Sequence, residues 1–449
     1  MVTKDLFLEN GMMNETIKNT AIVSGLTTAA VSMAGKVHAA GSDAIKIGLV
    51  GCGGRGRGAA QNVLNNTSHK NVKLVALADA FENMARETQE LFRQEFADQT
   101  DLPDERVFVG IDAGEKLIKT TDVDVVLLCQ PPGFRPRHFL MAAEAGKHIF
   151  AEKPVAVDPE GVRIVRKGTQ IAKDKGKSVL VGHQLRYRPK HAESIKMLHD
   201  GVIGDLLYVR IFFNDAGVWV RPRKDDDTEM RHQMWNWYYF NWLSGDHIVE
   251  QHVHDIDVMN WMAGDRPPIS ANGMGGRQVR LNPNCGEIFD HHSVEYVFDD
   301  QVRGYSNCRH IPNCWNSFSQ HAVGTKGTLD VEGFGEAVLK VNGKEPIVWE
   351  KEYGGHQAEM DYMFGCIANG KEFNTGERGC DATMTAILGR MATYSGKIIT
   401  WDQAVNSTMD LFPKGELTWN TDPGSKPGYG GIYPCAEPGK LDLRTWGIG

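Results

Sequence analysis

The chain has 449 residues, more than one hydrophobic core ordinarily organises, so two or three domains are expected. Apolar residues at 41% and charged residues at 24% exclude a disordered or membrane-embedded chain. Forty-nine Lys and Arg against 57 Asp and Glu leave a formal charge of -8, with no basic excess to bind a nucleic-acid backbone or hold an anionic membrane.

Between Lys18 and Lys36 no residue is charged, and Ala, Val and small hydroxyl residues are frequent. Val37-His38-Ala39 follows as a small-residue cleavage site. The stretch is too short and too polar for a membrane span, which takes about 20 apolar residues. Residues 1–43 therefore read as a secretory leader, and an exported or periplasmic protein is expected. The alternative is a disordered cytoplasmic extension.

Residues 45–50 form an apolar run that breaks into Gly51-Cys52-Gly53-Gly54-Arg55-Gly56, and a helical pattern follows at 59–64. Residues 72–78 form a second apolar run that ends at Asp79, and 82–96 read as a charged surface helix. Short β-branched runs at 107–109, 123–129, 148–150 and 178–181 alternate with helical patterns at 138–145 and 161–175. Strand and helix in alternation predict a parallel, doubly wound sheet.

Past residue 183 the pattern changes. Residues 206–213, 278–281, 292–298 and 301–308 read as strands with no helix between each pair, which predicts an open, mainly antiparallel sheet. Helices at 192–199 and 247–262 interrupt it, another is predicted at 382–394, and the Gly- and Pro-rich end from Pro413 reads as irregular. The fold class is α/β throughout. Cys52, Cys129, Cys285, Cys308, Cys314, Cys366, Cys380 and Cys435 show no C-x-x-C spacing and read as free thiols. Cys308 and Cys314 are close enough in sequence for a disulfide, which spacing alone does not establish.

Gly51, Gly53 and Gly56 match G-x-G-x-x-G directly after a predicted strand and before a predicted helix. Such a turn needs one position without a Cβ, one bare approach to a pyrophosphate and one tight helix–strand contact, with the helix N-terminus facing the anion. Asp79 ends the next strand, 23 positions past Gly56, where a carboxylate accepts hydrogen bonds from an adenosine ribose and repels a 2'-phosphate. NAD is the cofactor this predicts. Arg55 and Arg57 either assist the phosphates or are solvated.

The glycine loop, the spacing from Pro131 to His138, Ala145-Gly146-Lys147-His148 and Glu152-Lys153-Pro154 together resemble the Gfo/Idh/MocA family of nicotinamide-dependent sugar and polyol oxidoreductases. The resemblance is dense from 45 to about 210 and looser to about 395. It implies an N-terminal Rossmann domain over 44–182 and a C-terminal α/β domain over 183–395. The open sheet of the second supports the substrate site and an oligomer contact, here a homodimer or homotetramer. Residues 396–449 form a tail. Cofactor contacts are implied at Gly51, Gly53, Arg55, Gly56, Asp79, Pro131, His138, Glu152 and Lys153. Lys153 would lie beside nicotinamide and substrate, polarising the reacting oxygen or relaying its proton; a surface lysine paired with Glu152 is the plainer alternative.

The family's second signature is an acid, a histidine four residues later and an aspartate three further on, matched by Glu250, His254 and Asp257. Glu250 stands where the family usually has aspartate. At i and i+4 on one helix, Glu250 would orient the His254 imidazole as the base. His247, Glu250, His252, His254 and Asp257 are also metal-ligand types, but no H-E-x-x-H motif is present, and no metal is expected. Asp290-His291-His292 reads as a strand or turn near the pocket.

Trp219, Trp235, Trp237, Trp242 and Trp261 crowd one region with Tyr238, Tyr239 and Phe240. They suit either the C–H faces of pyranose rings, with Arg221, Arg223 and Arg231 nearby, or an aromatic core or interface. Candidate substrate contacts are Arg186, Tyr187, Trp219, Trp237, His252, Asp257 and Arg309. The expected activity is NAD-dependent hydride transfer at a secondary hydroxyl of a sugar or glycoside. The alternative is an NAD-dependent glycoside hydrolase working by transient oxidation and elimination. Glycoside hydrolase family 109 is similar in glycine loop and leader, although its Tyr-Pro-Thr-His-Gly segment is absent. A non-catalytic sensor is disfavoured by the presence of both Lys153 and His254.

Overall fold

The computed structural model describes residues 44–299, 301–352 and 354–448; the leader expected over 1–43 lies outside them. The fold opens with β1 (Ile45–Val50), β2 (Val72–Asp79), β3 (Val107–Val109), β4 (Val125–Leu128), β5 (His148–Ala151) and β6 (Val179–Val181). All pair in parallel in the order β3-β2-β1-β4-β5-β6. The chain thus runs outward from β1 to β3, returns beside β1 as β4, and runs out the other way. Past the C-terminal ends of β1 and β4 lies the crevice where such a sheet takes its ligand.

Alternation along β1 divides the core. Ile45, Ile47 and Leu49 join one buried cluster with Ala59 and Val63 of the helix Gly54–Leu64. Val50 joins the other, with Phe139 and Val162 of the helices Arg135–Glu144 and Pro159–Asp174. The helix Gly355–Ala368, which the sequence patterns did not reveal, returns from far down the chain to add Met360, Met363 and Phe364 to the first cluster.

The second sheet contains β7 (Leu206–Asp215), β8 (Ser270–Gly276), β9 (His291–Val297), β10 (Arg303–His310), β11 (Ser317–Gly324), β12 (Gly327–Glu332), β13 (Ala337–Val341), β14 (Ile347–Trp349) and β15 (Ile399–Thr400). Their order is β14-β13-β12-β11-β7-β10-β9-β8-β15. Only β7 and β10 run parallel; every other pair is antiparallel. Gly304, Ser306, Cys308 and His310 face inward from β10. The helices Val253–Met262 and Gly376–Ser395 belong to the same core as this sheet.

Two expectations are corrected here. Residues 278–281 form no strand. The Gln278 and Val279 amides both donate to Asp290 Oδ2 at 2.6 Å, so a carboxylate takes the bonds a ladder would have made. The single helix expected over 247–262 is two, His247–Glu250 and Val253–Met262, with Gln251 and His252 in a turn between them. Cys308 and Cys314 are both free, the first buried on β10 and the second exposed. Among the described residues no helix is long and apolar enough to cross a membrane.

Burial also sets how the fold responds to acid. It pushes the His138 and His183 imidazoles down to about 4, whereas an unfolded chain returns them to about 6.5. Because only the unfolded state readily binds these protons, the stability they contribute is complete above about pH 6.5 and is lost as pH falls toward 4. Melts recorded across that window should show a falling Tm. A flat profile would mean that both rings take up their protons alike in the folded and the unfolded chain.

Candidate active site

The turn after β1 is built by two glycines that admit no side chain. Gly51 has φ 95°, and a Cβ there would stand 2.5 Å from the Gln130 amide nitrogen. A Cβ on Gly56 would stand 1.8 Å from the Gly51 carbonyl oxygen. At Gly53 a Cβ would meet nothing within 4 Å, so the protein leaves space over the turn. Gly53 is also the N-cap of the helix Gly54–Leu64, with no capping side chain, which leaves the first amides to a ligand.

A cavity of about 330 Å³ opens over this turn. It is lined by Gly51, Gly53, Arg55, Gly56, Asp79, Pro131, His138, Glu152 and Lys153, so every expected cofactor residue is brought to it. Asp79 closes β2 with Oδ2 accepting from the Cys52 amide at 2.8 Å and Oδ1 from the Phe81 amide at 2.9 Å. Burial raises its carboxyl pKa and those amides oppose the rise. His138 is fixed by Gln130, whose Nε2 lies 3.0 Å from His138 Nδ1. Glu152 ties the two motifs together, its Oε1 2.9 Å from Arg55 Nε and its Oε2 accepting from the Lys153 amide at 3.2 Å.

Lys153 ends the same cavity. Its Nζ donates to the Glu250 carbonyl oxygen at 2.7 Å and to Glu250 Oε1 at 3.2 Å. Behind it lies Arg135, a residue that motif spacing did not single out. Its buried guanidinium donates to the carbonyls of Leu128, Gln130 and Pro154, holding the end of β4 against the Glu152-Lys153-Pro154 segment. Burial pushes Arg135 down to about 10. The available signal was an arginine beside Pro136 at the start of a helix, which sequence alone does not mark as buried.

Glu250 and His254 do not share one continuous helix. The turn at Gln251 and His252 separates them, and the Glu250 carboxylate bonds Lys153 instead. The His254 Nδ1 is buried without a hydrogen-bond partner. Burial, then the charges of Lys153 and His183, hold its pKa well below the ordinary imidazole range, so the ring is neutral. Glu250 lines the cavity; His254 does not.

Several expected substrate contacts lie elsewhere. Arg186 grips Asp257 through Nε to Oδ2 at 2.7 Å and Nη2 to Oδ1 at 3.0 Å. Although burial raises the Asp257 carboxyl, Arg186 and His183 hold it below the usual range. His252 bonds Ser306 Oγ at 2.8 Å and is fully buried. Tyr187 packs on Tyr362, with centroids 5.6 Å apart, and Arg309 turns to the Trp315 carbonyl. None of these five lines the cavity, and neither do Asp290, His291 or His292. Trp219 and Trp237 do, together with Trp235 and Arg221. Trp242, Tyr238, Tyr239 and Phe240 are core instead. The aromatic segment therefore serves both the cavity and a core.

Two groups of ligating side chains occur among the described residues, Asp246 with His247 and His292, and Glu152 with His356 and Glu359. In the first, Asp246 already accepts from the His247 and Phe289 amides and the Tyr394 hydroxyl. In the second, Arg55 already stands against Glu152.

The profile described as "Oxidoreductase family, NAD-binding Rossmann fold" matches residues 45–183, and that described as "GFO/IDH/MocA C-terminal domain" matches 191–330. The chain belongs to the Gfo/Idh/MocA family of NAD-binding oxidoreductases. It is similar to the inositol 2-dehydrogenase of Rhizobium meliloti (strain 1021), 27% identical over 253 residues, which is 56% of this chain and 64% of that one. The fold is similar to a levoglucosan dehydrogenase in complex with NADH and levoglucosan, with a TM-score of 0.64 at 17% identity, covering 80% of this chain and 99% of that one. It is also similar to an aldose-aldose oxidoreductase from Caulobacter crescentus complexed with glycerol, with a TM-score of 0.63 at 18% identity and the same coverage.

Proposed function

We propose that the protein is a dehydrogenase acting at one secondary hydroxyl carbon of a sugar or glycoside. The observation that carries this is Lys153 Nζ, held by Glu250 at 2.7 and 3.2 Å in the cavity that begins at the glycine turn. NAD, when bound over that turn, supplies the group that accepts or returns a hydride. Lys153 polarises the reacting oxygen and Glu250 fixes the ammonium. His254 lies outside the cavity lining, neutral and close enough to Lys153 to feel its charge, so Lys153 takes the proton from the reacting oxygen and His254 stands behind it as the next acceptor. Trp237, which lines the same cavity, offers a flat face to the C–H surface of a ring. The relatives named for inositol, levoglucosan and aldoses support a polyol or sugar substrate.

The test is incubation with a panel of sugars and glycosides in the presence of NAD, followed by mass analysis. The expected result is a keto product in step with reduced nicotinamide. Release of an aglycone without net reduction would replace the dehydrogenase by a redox-assisted hydrolase. No product from any polyol, sugar or glycoside would overturn both.

A further inference from the structure

With NAD over the glycine turn, Asp79 at the end of β2 would face the adenosine ribose, and the side chains beyond it would surround the adenine. On the side of the first sheet that end of the cavity is made by Phe81, Met84 and Ile111. Opposite them stand Trp219, Arg221 and Trp235, which arrive from the segment between β7 and β8.

These three form a stack. The Arg221 guanidinium lies 4.1 Å from the Trp219 ring centroid and 4.3 Å from that of Trp235. Its Nη1 donates to the Trp235 carbonyl at 2.8 Å, and its amide donates to Asn236 Oδ1 at 2.9 Å. A guanidinium sandwiched between two indoles and bonded to the backbone has little freedom left to reorient.

The stack is fastened to the loop after β2. Trp235 meets Phe81 edge-on at 5.0 Å, and Trp419 of the C-terminal tail lies 5.5 Å from the same ring. Arg231 spans 5.4 Å to both Phe81 and Trp419, and Thr228 Oγ1 donates to the Trp419 carbonyl. A second cavity of about 540 Å³ continues past Ile111 and is walled by tail residues that include Phe412 and Trp419. An adenosine lying beyond Asp79 would thus meet side chains from the loop after β2 and from the segment between β7 and β8, whose rings already touch each other.

We infer that the Trp219–Arg221–Trp235 stack is the cofactor-retaining element of this protein, closing over the adenosine half of NAD and slowing its release. The inference rests on NAD binding at the glycine turn.

The full chain, purified with no nucleotide added, is denatured and its released nucleotide quantified. The intact protein is then loaded with NAD and its exchange against labelled NAD is timed. Nearly one NAD per chain and slow exchange are expected. Arg221→Ala removes the guanidinium and leaves both indoles, and Trp235→Ala removes the contact with Phe81. Each should release NAD roughly ten- to a hundredfold faster, with Arg221→Lys falling between because an ammonium keeps the charge and loses the planar stack. Lys224→Ala, on an exposed side chain of the same segment, should exchange like the parent. Should Trp235→Ala fail to fold, Arg221→Ala alone decides. Equal exchange rates for the parent and Arg221→Ala would overturn the retaining role while leaving NAD binding intact. A parent that takes up no NAD even in excess would overturn the binding itself, and the retaining role with it.

Discussion

Lys153→Met should lower kcat/KM by about a thousandfold while NAD affinity stays within roughly a few-fold of the parent. Methionine keeps the length and apolar stem of the side chain and removes only the ammonium. Three bonds converge on the loss: the two from Nζ to Glu250, and the one Nζ would make to the reacting oxygen. The carboxylate of Glu250 would then face the substrate without a cation, which repels charge developing on an alkoxide. Glycine-turn contacts are untouched, so the defect should fall on the chemical step and not on loading. Full turnover by Lys153→Met would remove this residue from the mechanism.

Gly56→Ala should be severely damaging, because among the described glycines an added Cβ comes nearest to another atom there. The added methyl lies 1.8 Å from the Gly51 carbonyl, a backbone atom of a turn already at φ 95°. Relief demands that the helix Gly54–Leu64 lift off β1, at a cost of about 3 kcal/mol or more, beyond ordinary overpacking. Loss of NAD binding and a sharply lower Tm should appear together. Gly53→Ala separates the two effects. Its Cβ meets no protein atom within 4 Å, and its backbone sits at φ -74°, so the Tm should hold while NAD affinity falls at least roughly tenfold. Equal Tm for Gly56→Ala and the parent would show that the turn is not built as described.

The first sheet was legible because its strands are buried apolar runs between helical periods: β4 buries all four of its residues. The second sheet was only half legible. β8 reads Ser-Ala-Asn-Gly-Met-Gly-Gly, a composition that looks like loop. It is a strand because close approach takes the place of side chains; a Cβ on Gly273 would stand 2.6 Å from the Ser293 carbonyl. Residues 278–281 failed the opposite way, since their short alternation of apolar and polar residues hides a carboxylate 10–12 positions later that collects their amides.

In the site, local motifs located Gly51, Gly56, Asp79, Lys153 and Glu250 because each is tied to a strand end or turn. The break at Gln251 was not legible. Asp246 sits at φ 74° and, besides the adjacent His247, is bonded by residues more than forty positions away, Phe289 and Tyr394. Arg186 and Asp257 looked like substrate contacts because a buried ion pair and a binding pair have the same composition.

The return of the helix Gly355–Ala368 to the first sheet bears on the order in which the protein can assemble. Met360, Met363 and Phe364 cover a face made with β1 and β2, the Thr375 amide bonds the Val179 carbonyl on β6 at 3.0 Å, and β6 meets Asn374 in a bridge. During synthesis the nucleotide-binding half therefore leaves the ribosome with an apolar surface that stays bare until the second sheet has been made. That interval is when the nascent chain is most open to chaperones, and a fragment ended after β6 would carry the same bare surface for its whole lifetime.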